Sequence, residues 1–323
     1  MLRKLLISVV VVSLCFSGLA LAQEGKYPNK PIRLIVGYAP GGGSDIMGRL
    51  IAQKITDAMG QRVVVENRPG AAQNVAAEYL TKQPNDGYIL FLSSAALGIN
   101  VSLYPKLKYD PVKDFDPVAI FATSPNLLLV HPSFPAKNVR EFLDAIKKNP
   151  GKYNFSSSGS GSTQHLSGEL LKLMTKAGIT HVPYKGTSPS LIALASGDVH
   201  FSFSNIPAAQ PLLQSHKIKA LAITSSKRSA LLPDLPTMEE GGLPGFLTET
   251  WYGVLTPAGT PKEIINTLNA VIVKAVENPD FRARLTKMGA NTVAESPEYF
   301  RKYLLEEIER WRKVVKASGA QLG

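Results

Sequence analysis

A chain of 323 residues with 44% hydrophobic and 19% charged residues has apolar mass for about two globular domains and too little charge for a disordered tail. Its formal charge of +11 comes from scattered Lys and Arg, with no dense basic stripe interleaved with aromatics, so nucleic acid is excluded as a partner and a basic surface that attracts small anions remains. The one cysteine, Cys15, falls in an N-terminal leader, which leaves the expected mature chain without a disulfide, a thiolate metal site or a cysteine nucleophile.

In that leader, Arg3 and Lys4 precede an apolar run over 5–15, and Ala20-Leu21-Ala22 places small residues before Gln23. The pattern predicts a secretory signal peptide over 1–22, cut after Ala22. Ser17 and Gly18 break the run short of the roughly 20 apolar residues that span a bilayer. Leu14 is bulky where lipid-attachment signals carry a small residue, so a soluble exported product is expected.

Beyond the leader, β-like and helix-like segments alternate. Residues 32–36 are a β run. A helix is expected over 46–59, with Ile46, Met47, Leu50, Ile51, Ile55 and Met59 near helical spacing and Gly60 to stop it. Strand 63–65, helix 75–80 and strand 88–92 follow, then an extended crossover over 114–122. A second series has strand 127–130, helix 139–148, strand 153–155, helix 164–176 and strand 181–184. A short helix is expected with Ser188 at its N-cap and Pro189 at N1, followed by strands 199–203 and 218–223. Gly241-Gly242-Leu243-Pro244-Gly245 breaks the chain before strand 251–255. Two long helices finish it, one opened by a Thr260-Pro261-Lys262-Glu263 capping box and one by Ser296-Pro297-Glu298. In the last, Phe300, Leu304, Ile308, Trp311 and Val315 share a face, with Glu306–Arg310 and Glu309–Lys313 expected to pair. This alternation predicts an α/β fold with parallel sheets covered by helices.

One construction occurs twice. The run 32–36 enters Gly37-Tyr38-Ala39-Pro40-Gly41-Gly42-Gly43-Ser44-Asp45, and the run 153–155 enters Ser156-Ser157-Ser158-Gly159-Ser160-Gly161-Ser162-Thr163. Each is a strand, a Gly/Ser-rich turn and a helix start, whose free N–H groups and partial positive charge suit an anion. One such turn in each lobe makes a clamp for a small anionic solute. Tri-glycine lets backbone approach a ligand closely. Neither the phosphate-binding loop pattern nor the dinucleotide glycine fingerprint is present, and a fixed Asp45 repels phosphate; it is free to hold a water or a donor group of the solute. Tyr38 and Tyr184 are cleft-wall or core aromatics. Lys185 is either a surface charge or faces the crevice where α/β sheets bind ligands. His165 fits a packing or hydrogen-bonding role near the cleft. His131, His181, His200 and His216 show no metal-ligand spacing, so no metal and no cofactor are expected.

Taken in order, Tyr27-Pro28-Asn29-Lys30-Pro31-Ile32-Arg33-Leu34-Ile35-Val36, Pro40-Gly41-Gly42-Gly43-Ser44-Asp45, Val65-Glu66-Asn67-Arg68-Pro69-Gly70, Pro84-Asn85-Asp86-Gly87-Tyr88, Ser158-Gly159-Ser160-Gly161-Ser162, Val182-Pro183-Tyr184-Lys185-Gly186 and Leu232-Pro233-Asp234-Leu235-Pro236-Thr237 resemble one family over nearly the whole mature chain. It is the tripartite tricarboxylate transporter substrate-binding proteins, also called Bug receptors. The resemblance implies a type II periplasmic binding protein: two α/β lobes on a hinge, a Venus flytrap, exported to the periplasm. It implies capture of a small organic acid and delivery to a membrane permease. By the same resemblance, loops 41–45 and 157–163 hold a carboxylate, partly through waters, with Tyr184-Lys185-Gly186 in the matching third loop. The ligand-binding set expected on both grounds is Tyr38, Gly41, Gly42, Gly43, Asp45, Asn74, Ser93, Ser158, Ser160, Gly161, Ser162, Thr163, His165, Tyr184, Lys185, Gly186 and Asn205. The chain departs from the family pattern at Gly37 (usually Pro), Ala71-Ala72-Gln73 (usually richer in Gly), Ser93-Ser94-Ala95-Ala96 (commonly Gly, Thr and His) and Asn205 (often Asp).

The expected organisation is lobe one over 23–124 plus 248–323 and lobe two over 125–247, as a monomer without catalysis. An exported serine hydrolase using the 156–162 turn is the alternative, weakened by the absence of a G-x-S-x-G elbow and of an arranged base and acid. A third reading is a sensor or adhesin module that binds a partner protein.

Overall fold

The computed structural model describes residues 27–318; the expected leader and its cleavage point lie outside them. Among the described residues no helix is long and apolar enough to cross a membrane.

The chain opens with β1 (Ile32–Val36), α1 (Gly43–Met59), β2 (Val63–Asn67), α2 (Asn74–Leu80), β3 (Ile89–Ser93) and α3 (Ala96–Leu103). β1 lies between β2 and β3, parallel to both, with Leu34 opposite Val65 on one side and Leu90 on the other. Every residue of β3 is buried, as strands covered on both faces by helices require. Met47, Leu50, Ile51 and Ile55 form the buried stripe of α1. Gly60 ends that helix in the left-handed conformation, its N–H on the Thr56 carbonyl.

β4 (Phe115–Val130) pairs antiparallel with β9 (Glu249–Pro257) as far as Pro125, then from Asn126 with β7 (Phe201–Asn205) and β8 (Lys219–Ile223). One strand thus serves two sheets, where the sequence suggested a crossover and a separate strand. The second half contains α4 (Val139–Lys148), β5 (Tyr153–Ser157), α5 (Thr163–Thr175), β6 (Ile179–Pro183), α6 (Thr187–Ser196) and α7 (Ile206–Gln214). β5 runs parallel to both β6 and β7. The order β2-β1-β3-β9 in one half therefore matches β6-β5-β7-β4 in the other. The fold has two α/β lobes of like topology. The loops after β1 and β5, after β2 and β6, and after β3 and β7 occupy corresponding places at the carboxyl ends of the strands, where open α/β sheets bind ligands.

The return crossing is stitched to the first. Thr224 Oγ1 accepts from the Asn126 N–H (2.9 Å), its hydroxyl facing the Asn126 and Thr248 carbonyls. Thr248 Oγ1 lies 2.7 Å from Ser167 Oγ of α5. After β9 come α8 (Lys262–Glu277), α9 (Pro279–Lys287), β10 (Asn291–Thr292) and α10 (Pro297–Ser318). α10 packs on α3 and α5, and Arg310 Nη2 donates to the Leu247 carbonyl beside the crossing (3.3 Å).

Several local expectations are corrected. α6 is capped by Gly186, so Ser188 is not its N-cap and Pro189 sits inside the first turn. Thr260 donates to the Pro257 carbonyl and makes no capping box, and α8 starts without a side-chain cap. Asn278-Pro279 divides the penultimate helix into α8 and α9, with Asn278 capping the second. In α10 the ion pairs are Lys302–Glu306, Arg310–Glu307 and Arg312–Glu309, so Glu306–Arg310 and Glu309–Lys313 are not the partners. α3 lacked an amphipathic pattern because it is buried almost all round. α7 was hidden by Pro207 and Pro211.

Candidate functional site

The two lobes meet along their loops, at positions where side chains are missing. A Cβ on Gly43 would lie 2.6 Å from Asn205 Cγ, and one on Gly186 would lie 2.9 Å from the Ala39 nitrogen. Gly42 faces Thr187 and Gly161 faces Asn100 in the same way. Hydrogen bonds cross the seam: Ala39 N–H donates to the Lys185 carbonyl (3.3 Å), and the Tyr104 hydroxyl donates to the Ser160 carbonyl (2.9 Å). The lobes are closed on one another.

Between them lie two adjoining compartments. The inner one, of about 10 Å³, is lined by Tyr38, Ser44, Ser94, Ser158, Thr163, Gln164, Thr187, Asn205, Thr250 and Tyr252. The outer one, of about 210 Å³, is lined by Tyr38, Gly70, Ala71, Ala72, Tyr104, Ser158, Gly159, Ser160, Pro183, Tyr184 and Lys185. Tyr38 and Ser158 border both. Among the described residues, no ionised side chain lines the inner compartment, and Lys185 alone supplies a charge to the outer one.

Four helix starts converge on the inner compartment. Ser44 begins α1, Thr163 and Gln164 begin α5, Thr187 begins α6, and Asn205 caps α7. α5, α6 and α7 carry no acidic residue in the first turn. α1 carries Asp45, but that carboxylate is committed elsewhere. It accepts from the Gly41 N–H (3.0 Å) and Asn67 Nδ2 (2.9 Å) and pairs with Arg49 (2.9 Å). Burial pushes the Asp45 carboxyl up, but the Arg49 guanidinium and the two amides outweigh it and hold it below the usual carboxylate range. Each helix start favours an anion by about 0.3–1 kcal/mol, and by up to about 2 kcal/mol where partly buried. The inner wall adds hydroxyl and amide donors. Tyr252 on β9 is 1% exposed and its hydroxyl finds no hydrogen-bond partner among the described residues. Burial pushes the phenols of Tyr38 and Tyr252 up, so both stay neutral donors. A larger groove of about 730 Å³ lies between α8 and α10, but both of those helices carry a first-turn carboxylate, Glu263 and Glu298.

A model of the tripartite tricarboxylate transporter family receptor matches residues 47–320. The chain belongs to that family. BugT of Bordetella pertussis is 36% identical to this receptor over 320 residues, covering 98% of each chain. Rpa4515 of R. palustris, solved with adipate, is 39% identical with a TM-score of 0.89, covering 91% of this chain and 98% of its own. MatC of Rhodopseudomonas palustris, solved with bound malate, is 37% identical with a TM-score of 0.85, covering 90% and 100%. The fold is that of the periplasmic binding proteins.

Within this family member, the expected residues divide into wall and support. Tyr38, Ser158, Ser160, Thr163, Tyr184, Lys185 and Asn205 line the compartments. Gly41, Gly42, Gly43, Gly161 and Gly186 form the seam. Asp45, Asn74, Ser93, Ser162 and His165 line neither compartment, each being engaged behind the wall. Asp45 holds its own loop. Asn74 Oδ1 accepts from Asn100 Nδ2 (2.7 Å) and the Tyr109 hydroxyl (2.6 Å). Ser93 Oγ donates to Gln73 Oε1 (3.3 Å). Ser162 caps α5 by accepting from the His165 N–H (3.2 Å), and His165 Nδ1 accepts from the Gly161 N–H (3.2 Å). Short polar side chains at loop ends have local backbone groups within reach, which compete with a ligand.

The wall residues Ser94, Gln164, Thr187, Thr250 and Tyr252 were missed. The helix-start rule that picked Thr163 also reaches Gln164 and Thr187. Nothing local marks Tyr252, which reaches the site from the return strand.

Proposed function

We propose that this protein is a periplasmic receptor without catalytic activity that encloses a small organic acid between its lobes and presents it, as a monomer, to the membrane permease of a tripartite transporter. The observation that carries the reading is the inner compartment: four helix starts, neutral donors, no carboxylate facing inward, and the unpartnered Tyr252 hydroxyl. The inner compartment has room for about one water, so the acid sits in the outer compartment with a carboxylate turned toward the inner donors, directly or through that water. The relatives solved with adipate and malate support an acid as the ligand. We place lobe one at 23–124 plus 248–323 and lobe two at 125–247, pivoting where Ser124–Asn126 and Thr248 cross. Cleavage of the leader after Ala22 is part of the same proposal.

Thermal unfolding across a panel of mono- and dicarboxylic acids tests it. An acid at about 100 times its Kd adds about 2.7 kcal/mol to the folded state and raises the midpoint by several degrees. If no carboxylate shifts the midpoint, the ligand class is wrong.

One contact bears on the hydrolase alternative: Ser157 Oγ lies 2.6 Å from His181 Nε2. Ser157 is fully buried and lines neither compartment, so a substrate carbonyl has no path to it. A serine-directed fluorophosphonate is expected to leave the protein unlabelled.

A further inference from the structure

Gln73 joins the ends of all three parallel strands of lobe one. It precedes α2 at φ 70°, and Ala71 and Ala72 before it are also left-handed, at φ 47° and 46°. Its side chain is fully buried. Nε2 donates to the Ser94 carbonyl at the end of β3 (3.2 Å). That contact fixes the amide: only its nitrogen can face a carbonyl, so Oε1 faces the hydroxyls of Ser93 (3.3 Å) and Ser94 (3.5 Å). At the end of β1, Gly37 leaves the space for this side chain, since a Cβ there would lie 2.7 Å from Gln73 Cα.

The consequence reaches the ligand wall. Ser94 Oγ lies 3.3 Å from the Tyr38 hydroxyl, and both residues line the inner compartment. With its proton drawn to Gln73 Oε1, Ser94 accepts from Tyr38. The spare lone pairs of both oxygens then face inward. The helix starts present N–H donors, and this corner adds acceptors held in place by Gln73 to the other hydroxyl and amide oxygens of the wall. We propose that Gln73 is a specificity-determining positioning residue: through Ser94 and Tyr38 it selects an acid that carries a hydroxyl donor over the same acid without one. The inference rests on the carboxylate-receptor reading and names the substrate class within it.

The test compares malate with succinate by isothermal titration for the wild type, Gln73→Met, which keeps the volume and removes the amide, and Ser94→Ala. The wild type is expected to bind malate more tightly by about three- to tenfold, the worth of one good neutral hydrogen bond. Gln73→Met and Ser94→Ala should each bring that ratio toward one, with no further change when combined. A purely structural role for Gln73 would lower both affinities together and keep the ratio. A ratio near one in the wild type, or an unchanged ratio in Gln73→Met, overturns the inference while leaving the receptor reading intact. A wild type that binds some other carboxylate but neither probe also overturns it. A wild type that binds no carboxylate overturns the receptor reading and this inference with it. If Gln73→Met does not fold, Gln73→Leu replaces it with the same readings, and if neither folds Ser94→Ala decides: an unchanged ratio in that variant overturns the inference.

Discussion

Single residues at this site owe their roles to what surrounds them more than to their type. Tyr252 and Asp45 make the contrast. The tyrosine hydroxyl is buried without a partner, whereas the carboxylate is satisfied by Gly41, Asn67 and Arg49. Tyr252→Phe should therefore leave the unliganded protein as stable as the wild type or slightly more so, and weaken acid binding by about tenfold or more, as loss of a hydrogen bond to a charged group does. Equal affinities for the two proteins in titration would remove Tyr252 from the site. Behind the lobe-two loop, the rings of His165 and His181 stack with centroids 4.1 Å apart. Burial, with Lys172 nearby, lowers His165 to about 4, and burial, His165 and Lys172 lower His181 to about 3, from an ordinary 6.5. The unfolded chain takes up these protons below 6.5 and the folded one does not until 4 and 3. Stability from this pair is thus complete above pH 6.5 and lost as pH falls toward 4. Midpoints measured from pH 7 to 4 should decline, and His181→Phe should flatten that decline. A parallel curve for the variant would show that other groups cause it.

At the scale of elements, what distinguishes the site is how each helix begins. α4 spends its own residues on its start: Asn138 accepts from the Glu141 N–H and its Nδ2 donates back to the Glu141 carboxylate. α1 has no side-chain cap, and its first-turn acid instead ties down loop 37–42. Asp45→Asn keeps the shape and removes the charge paired with Arg49. It is expected to cost about 1.5–3 kcal/mol, the range for a hydrogen bond to a charged group. Because the folded state holds this carboxyl below its ordinary range, its contribution is present above that range and vanishes as pH falls through the lowered value. Chemical denaturation at pH 7 and at pH 3 should give a large difference between wild type and variant in the first and a small one in the second.

For the whole molecule the decisive feature is the seam. Lobes meet where Gly43 faces Asn205, Gly186 faces Ala39 and Gly161 faces Asn100, so each glycine is a condition of closure, whatever it contributes within its own lobe. Gly43→Ala adds one methyl against Asn205 across the gap. Either lobe accommodates it alone, so folding should be preserved while the closed form is disfavoured. Affinity for whichever acid the wild type binds is expected to drop at least about tenfold, since binding is reduced by the fraction of closed protein. Small-angle scattering should show the wild type contracting when that acid is added and the variant contracting less. Full contraction by the variant would mean that the lobes close differently.

The alternation of strands and helices, the two Gly/Ser turns and most of the helix stops were legible in the sequence, because they are local matters of periodicity, capping and backbone freedom. Helix 139–148 was readable to its ends, since Asn138 and the apolar positions Val139, Phe142, Leu143 and Ile146 specify it without outside help. The same local rules pointed to two of the helix starts that line the inner compartment. That four converge there was not readable from local rules, because Thr187 and Asn205 reach the compartment only through the pairing of β5, β6 and β7; Asn205 was expected there from the family resemblance alone. Tyr252 arrives on a strand that returns from the far end of the chain. Asp45, Asn74 and Ser93 have side chains suited to a ligand, and only the packed structure gave their lone pairs to neighbours first. Composition and spacing determine which segments form; the division of polar groups between the fold and the ligand is settled by which partner stands within hydrogen-bond reach, and distance is a property of the tertiary structure.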